Sequence, residues 1–269
     1  MPKVTVHDKF EVKPDYDEAA HLAKEIAAVR AYLDKELACV DAIENTTMQA
    51  ICMFAMIDCL AQEEANYIGK PHDVFCNFVL KNQKQCDYLE SVEPVTLYYH
   101  VEDLIEEASP LPGFPPEKVI SLEDLGDVYG VKVENILSTG KAQEVLDYIE
   151  KKMGKKFAED KAREHKLINL LYRMRSKAVH EMSGLGESWK DRHGLQPNVP
   201  YYRDVGRGYV LDGNWVYDDV IELVFPNTFI RSILVDCVNG YLAECAATKR
   251  FPFSNNDITR KPNLTWYDK

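Results

Sequence analysis

The eleven residues Ala50 to Leu60 (A-I-C-M-F-A-M-I-D-C-L) contain one charged side chain, Asp58. A helix built from them has almost no polar face, so it must be surrounded by other elements rather than laid on a surface. The uninterrupted apolar run, Ala50 to Ile57, is eight residues, far short of the roughly 20 that a membrane-crossing helix needs. The first ten residues include Lys3, His7 and Asp8 and show no apolar stretch of a secretory signal. A cytoplasmic protein built around a central helix is the expectation.

The flanking periodicity supplies partners for that helix. Ala19, Leu22, Ile26, Val29, Leu33 and Leu37 recur three or four apart, which predicts a helix over about 17–43, introduced by Pro14 and Asp15. Asn45, Thr46 and Thr47 offer N-caps for the central helix, expected to run to Ile68, where Gly69 and Pro71 stop it. A third helix is expected from Asp73, carrying Val74, Phe75, Phe78 and Val79. Further on, Ile168, Leu171, Met174 and Ala178 make one stripe of a long helix over about 157–182. Ile230, Ile233, Leu234, Cys237, Val238, Tyr241 and Leu242 form a broad apolar face on a last helix, opened by Pro226 and Asn227 and reaching about Ala247.

Two regions break the pattern. Val95 to Val101 is β-prone, four prolines lie between Ser109 and Pro116, and 121–153 reads as short helices around Gly126, Gly130 and Gly140, so 92–155 is expected to be an insertion. Residues 187–208 look like loop. Tyr209 to Leu211 and Trp215 to Val224, joined by Asp212-Gly213-Asn214, form a β-hairpin, because Asp-Gly supplies the positive φ values of a tight turn. The fold class is mainly α: one domain over 1–269, an antiparallel helix bundle with a small β-hairpin, an inserted α/β or loop region at 92–155, and a polar tail at 250–269. Composition agrees, with 46% hydrophobic and 28% charged residues. Cysteines at 39, 52, 59, 76, 86, 237 and 245 include no CxxC pair. They read as buried thiols rather than a zinc or redox motif.

Charge is distributed unevenly. The chain carries 32 Lys+Arg against 44 Asp+Glu, a formal −12, which argues against a protein that coats nucleic acid non-specifically. Residues 151–180 nonetheless hold ten Lys/Arg against three acids, a local +7. Such a stretch is either a solvated helix face or an anion-binding patch aimed at phosphate.

The same stretch contains Leu170-Leu171-Tyr172-Arg173-Met174-Arg175-Ser176-Lys177-Ala178-Val179-His180-Glu181. At about 100° per residue, Arg173, Ser176 and His180 line one helix face, while Arg175 lies about 140° round from His180. Histidine titrates near neutrality and suits proton transfer, and a guanidinium fork suits a phosphate. An Arg175 paired with an acid such as Glu181 or Asp218, with His180 structural, is the competing reading.

Arg175 to His180 with four intervening residues, and Arg173 to His180 with six, resemble the signature of the HEPN family, the helical domains of many RNA-cleaving toxins and defence proteins. The order of helices around 40–85 and 157–247 is similar to the HEPN bundle as well. Ser176 stands where family members more often carry Asn, Asp or His, and it hydrogen-bonds over a shorter reach. The resemblance implies a metal-independent endoribonuclease acting as a homodimer, with His180, Arg175 and Ser176 of both copies in one cleft. It implies Arg173, Lys177 and Lys166 as RNA contacts. It also implies a toxin or defence role, with an antitoxin or regulatory protein as a further partner. The alternative within the family is a non-catalytic module that binds RNA, a nucleotide or a partner protein.

Other chemistries have little support. His165 and His180 are fifteen apart with no carboxylate or thiol at ligand spacing, so no metal is expected. No cofactor is expected either, since the chain lacks GxGxxG, a Walker-type loop, GxSxG and HExxH. The paired carboxylates (Glu63 and Glu64, Glu106 and Glu107, Asp218 and Asp219) read as surface. The aromatic-rich stretch 201–217 fits a hairpin packed on the bundle as well as it fits a base-stacking platform.

Overall fold

A computed structural model describes residues 17–84, 87–98, 132–138, 140–181, 198–211 and 214–254. It is mainly helical, with one two-stranded antiparallel sheet. Helix α1 (Glu18–Asp41) is capped by the Asp17 carboxylate, which accepts from the Ala20 amide. Helix α2 (Thr46–Glu64) is capped in the same way by Asn45 on Met48. Helix α3 spans Pro71–Asn82. Then come α4 (Val133–Leu137), α5 (Lys141–Met153), α6 (Lys155–Glu164), α7 (Leu167–Glu181), the strands β1 (Tyr201–Leu211) and β2 (Asn214–Val224), and α8 (Asn227–Thr248).

Helix α2 is the centre that its composition demanded. It packs against α1, α3, α7 and α8, burying Ala50, Met53, Phe54, Ile57, Leu60 and Ala61 to 1% exposure or less. Its outward face carries Cys59, which is exposed, and Cys52, half-buried. Seven residues bring both thiols to one side of the helix, so the expectation of buried cysteines fails there, as it does at exposed Cys39, and holds for Cys76, Cys237 and Cys245. Helix α1 runs antiparallel to α8, with Arg30 on Asn239 and Asp41 on Arg231. Helix α2 instead runs parallel to α8: Asn227 donates to the Thr46 carbonyl at one end, and Arg250 to the Glu63 carbonyl at the other. The bundle is therefore not antiparallel throughout.

Three expected boundaries move. Helix α2 stops at Glu64, because Asn66 and Tyr67 turn left-handed (φ 55 and 57). Helix α3 begins at Pro71, whose missing N–H costs nothing at a first helical position. The expected 157–182 helix is two helices. Between them the carbonyls of α6 are claimed from outside the helix: Asn169 Nδ2 takes that of Arg163, Arg173 that of Glu164, and the Glu93 amide that of His165. The Leu167 amide meanwhile bonds the Ser91 carbonyl.

The β-prone stretch after Val92 is helical over 94–98. Glu93, fully buried, accepts from the amides of Val95 and Thr96 at 2.7 Å each, and Pro94 follows it at the first helical position. The Tyr202 hydroxyl donates to the same carboxylate. Helices α5 and α6 add a satellite core of Val145, Ile149 and Ala158 against Leu97. Strand β1 starts at Tyr201, inside the 187–208 stretch expected to be loop, and pairs with β2 from Tyr201↔Val224 to Leu211↔Asn214. The segment 101–131 of the expected insertion and the tail beyond 254 lie outside the described residues. The first tail residues dock: the Phe253 ring packs tilted against Tyr241, whose hydroxyl accepts from the Phe253 amide.

Two predictions follow from this packing. A Cβ at Gly240 of α8 would stand 1.9 Å from Asn82 Oδ1, and Asn82 is buried and tied to the Phe78 carbonyl. Gly240→Ala gains about 1 kcal/mol of helix propensity, yet overpacking costs about 1–3 kcal/mol. Urea unfolding should therefore show a net loss, recovered in part by Asn82→Ala in the same chain. Burial raises the Glu93 pKa in the folded protein, against the pull of its donors. A raised carboxyl contributes stability that is full at low pH and is lost as pH rises through the folded value. The stability gap between wild type and Glu93→Gln should thus narrow as pH is raised above 4.5, the ordinary glutamate value. A constant gap in denaturant titrations across that range would contradict it.

Candidate functional site on helix α7

Helix α7 enters the bundle with Leu167, Ile168 and Leu171 buried, which turns Tyr172 and Arg175 toward α2 and α3. The Glu181 and Asp218 side chains, the expected alternative partners of Arg175, lie outside the described residues. Arg175 Nε donates to Asp58 Oδ2 at 2.6 Å, and a terminal nitrogen contacts the same oxygen. Both side chains are mostly buried, at 14% and 20% exposure. The guanidinium also lies 5.5 Å from the centre of the Tyr172 ring, within cation–π range. Asp58, the single charge in the apolar stretch of α2, is thus explained: it is the anchor of Arg175.

Tyr172 links this pair to α3. Its ring meets His72 edge-on at 4.8 Å and Phe75 at 5.5 Å. His72 Nδ1 sits 3.0 Å from Asp73 Oδ1, and this bond holds the exposed Asp73 carboxyl below its ordinary pKa. His72 Nε2 lies 3.7 Å from Cys76 Sγ, and the thiol donates to Asn169 Oδ1 at 3.6 Å. Burial pushes the Cys76 thiol up to about 12. It therefore stays protonated at neutral pH, an internal donor rather than a nucleophile. Sequence reading missed Asp58, Tyr172 and His72 as members of this cluster. The lone carboxylate in an apolar run was the one signal available.

The sequence-predicted residues separate into two sets. Arg175, Ser176 and His180 share α7, with Ser176 half-buried; the His180 side chain lies outside the described residues. The expected RNA contacts are largely engaged within the fold. Arg173 donates to the Glu164 carbonyl at 2.7 Å, and burial lowers its pKa against the charges of Glu164 and Glu93. Lys166 lies 3.7 Å from Glu90. Lys177 is exposed. His165 is buried, with Nδ1 2.9 Å from the Lys161 carbonyl. Two grooves, of about 370 and 500 Å³, run along α1 and α8, and neither is lined by a residue of α7. Among the described residues, no group of three His, Cys, Asp or Glu could hold a metal ion, and no helix is long and apolar enough to cross a membrane. The chain matches no protein-family model, no curated protein and no solved structure.

The Arg175–Asp58 contact joins positions 117 residues apart, so its strength is measurable as folding stability. A double-mutant cycle with Asp58→Ala and Arg175→Ala should give a coupling of about 0.5–3 kcal/mol. Each single variant alone strands a mostly buried partner and should cost more than the pair removed together. Strictly additive losses would show that the contact carries no energy of its own.

Proposed function

We propose that this chain is a HEPN-like helical protein that cleaves RNA without metal, as a homodimer whose two α7 helices face one cleft. The observation that supports this most is the fixing of Arg175 by Asp58 and Tyr172, five residues before His180 on the same helix. A cation held by a second helix needs little reorganisation when phosphate charge develops beside it.

In this reading the His180 imidazole of one copy takes the proton from a ribose 2′-hydroxyl, and the 2′-oxygen attacks the adjacent phosphorus. The P–O5′ bond breaks, and the 5′-oxygen receives a proton from the second imidazole. The products are a 2′,3′-cyclic phosphate and a 5′-hydroxyl. Arg175 faces the extra charge of the phosphorane, and Ser176 orients the phosphate by hydrogen bonding. A toxin or defence role, with an antitoxin or regulatory protein as a partner, goes with this reading.

A second reading rests on the same contact. Asp58 neutralises Arg175, and Arg173 caps a carbonyl, as suits a non-catalytic module that binds RNA, a nucleotide or a protein. Purified protein incubated with mixed RNA in EDTA separates the two. Wild type should leave cyclic phosphate ends, read by mass spectrometry, and His180→Ala should lose about 10²- to 10⁴-fold in rate while keeping its circular dichroism spectrum. RNA binding without cleavage, the same for both proteins, would favour the binding module.

A further inference from the structure

A run of exposed basic charge that the described fold does not use lies at the turn between α5 and α6. Residues 151–156 (K-K-M-G-K-K) are all exposed. Gly154 turns the chain with φ 90, and nothing stands within 4 Å of the position a Cβ would take there. Among the described residues, the four ammonium groups of Lys151, Lys152, Lys155 and Lys156 meet one carboxylate. That is Glu159, 3.8 Å from Lys155, and both side chains are well exposed. Lys152 rests 5.8 Å over the Tyr148 ring. Four cations in six residues stand out in a chain of net −12.

The placement of two of them opposes folding. Lys151 and Lys152 are in the last turn of α5, where cations complement the helix dipole. Lys155 and Lys156 are in the first turn of α6, which has no acid and no side-chain cap. Cations there oppose the dipole and the unpaired amides alike. A sequence that breaks a local rule at an exposed position without a folding gain points to use of that position. The positive potential of the tip is matched by nothing in the described fold, so its complement is an external polyanion.

We infer that the α5–α6 tip is a phosphate clamp for single-stranded RNA, seated about one helix length, roughly 15 Å, from the α6–α7 break. This rests on the RNA-cleaving reading of α7 and adds the surface that holds the substrate. It also explains how RNA is held while Arg173 and Lys166 serve the fold. An anionic lipid surface fits less well. The tip offers one apolar side chain, Met153 at 41% exposure, where membrane-lying helices present a whole apolar face.

The test uses the full chain and a 2′-O-methylated oligouridylate, which has no free 2′-hydroxyl and cannot be cut. Affinity is followed by fluorescence anisotropy across a potassium chloride series, for wild type and for K151Q/K152Q/K155Q/K156Q. Each single-strand phosphate contact contributes about 0.7 to the slope of log affinity against log salt, so the slope should flatten by about 3. The melting temperature should stay level, because two cations leave a helix N-terminus and two leave a helix C-terminus. Replacing the same four residues by arginine should keep the slope. Equal slopes for wild type and the glutamine variant, or no binding by wild type at low salt, would overturn the clamp. So would a variant that loses binding to phosphatidylserine vesicles but not to RNA. Wild-type cleavage of a dinucleotide in EDTA, run in parallel, reads the α7 centre by itself. Its failure beside a flattened slope would sink the cleavage reading and leave the clamp standing.

Discussion

One buried carboxylate holds the second half of the chain in place. Glu93 caps the helix at 94–98 through the amides of Val95 and Thr96, receives the Tyr202 hydroxyl where β1 begins, and through its own amide takes the His165 carbonyl. Three segments far apart in sequence therefore meet at one residue that is 0% exposed. An ionised carboxylate in such a place is costly unless its oxygens are supplied with donors. Three donors answer that cost, and burial still pushes the Tyr202 hydroxyl well above its ordinary pKa. The site is consequently all or nothing, as buried polar networks are. Removing one donor strands the carboxylate, and removing the carboxylate strands three donors.

The geometry of α7 follows from this knot. The Glu93 amide and the Ser91 carbonyl take the backbone of His165 and Leu167, so the helix that the apolar stripe would otherwise carry through is cut at His165. The cut sets a new direction for α7. That direction brings Tyr172 against His72 and Phe75 of α3, and Arg175 against Asp58 of α2. It also leaves α6 to pair with α5 over its own small core, with the turn at Gly154 exposed.

How much of this could be read beforehand depends on the range of the cause. Helices α1, α2 and α8 were legible because their apolar spacing, Asp17, Asn45 and Pro226 act within a turn of themselves. The hairpin was legible at its turn, where Asp212-Gly213 is a local signal, but not at Tyr201–Gly208, whose partners sit across the register. The break at His165 leaves no signal in the apolar spacing. An uninterrupted 3.6-residue stripe predicts one helix, and the Asn169 and Arg173 side chains together with the backbone of 91–93, some 70 residues earlier by the numbering, undo it. The 94–98 segment failed in the opposite sense. Its β-branched and aromatic residues favour a strand, and a single capping carboxylate, with Tyr98 and Leu97 buried behind it, overrides that preference.

The candidate site was half legible for the same reason. Arg175, Ser176 and His180 are neighbours in sequence, and a motif finds them. Asp58 is 117 residues away, and nothing in its surroundings says that its partner is Arg175 rather than solvent. Yet a carboxylate in the middle of an otherwise apolar helix is itself informative. Burying it alone would cost several kcal/mol, so a central helix that carries one must have been given a cation by some other element. Basic residues are densest over 151–180, which holds ten of the chain's 32, and that stretch is where the cation comes from. The physical demand of α2 thus selects α7 as its neighbour before any chemistry is assigned to α7. The residue that pairs with the core carboxylate and the residue we propose for phosphate are then one and the same arginine.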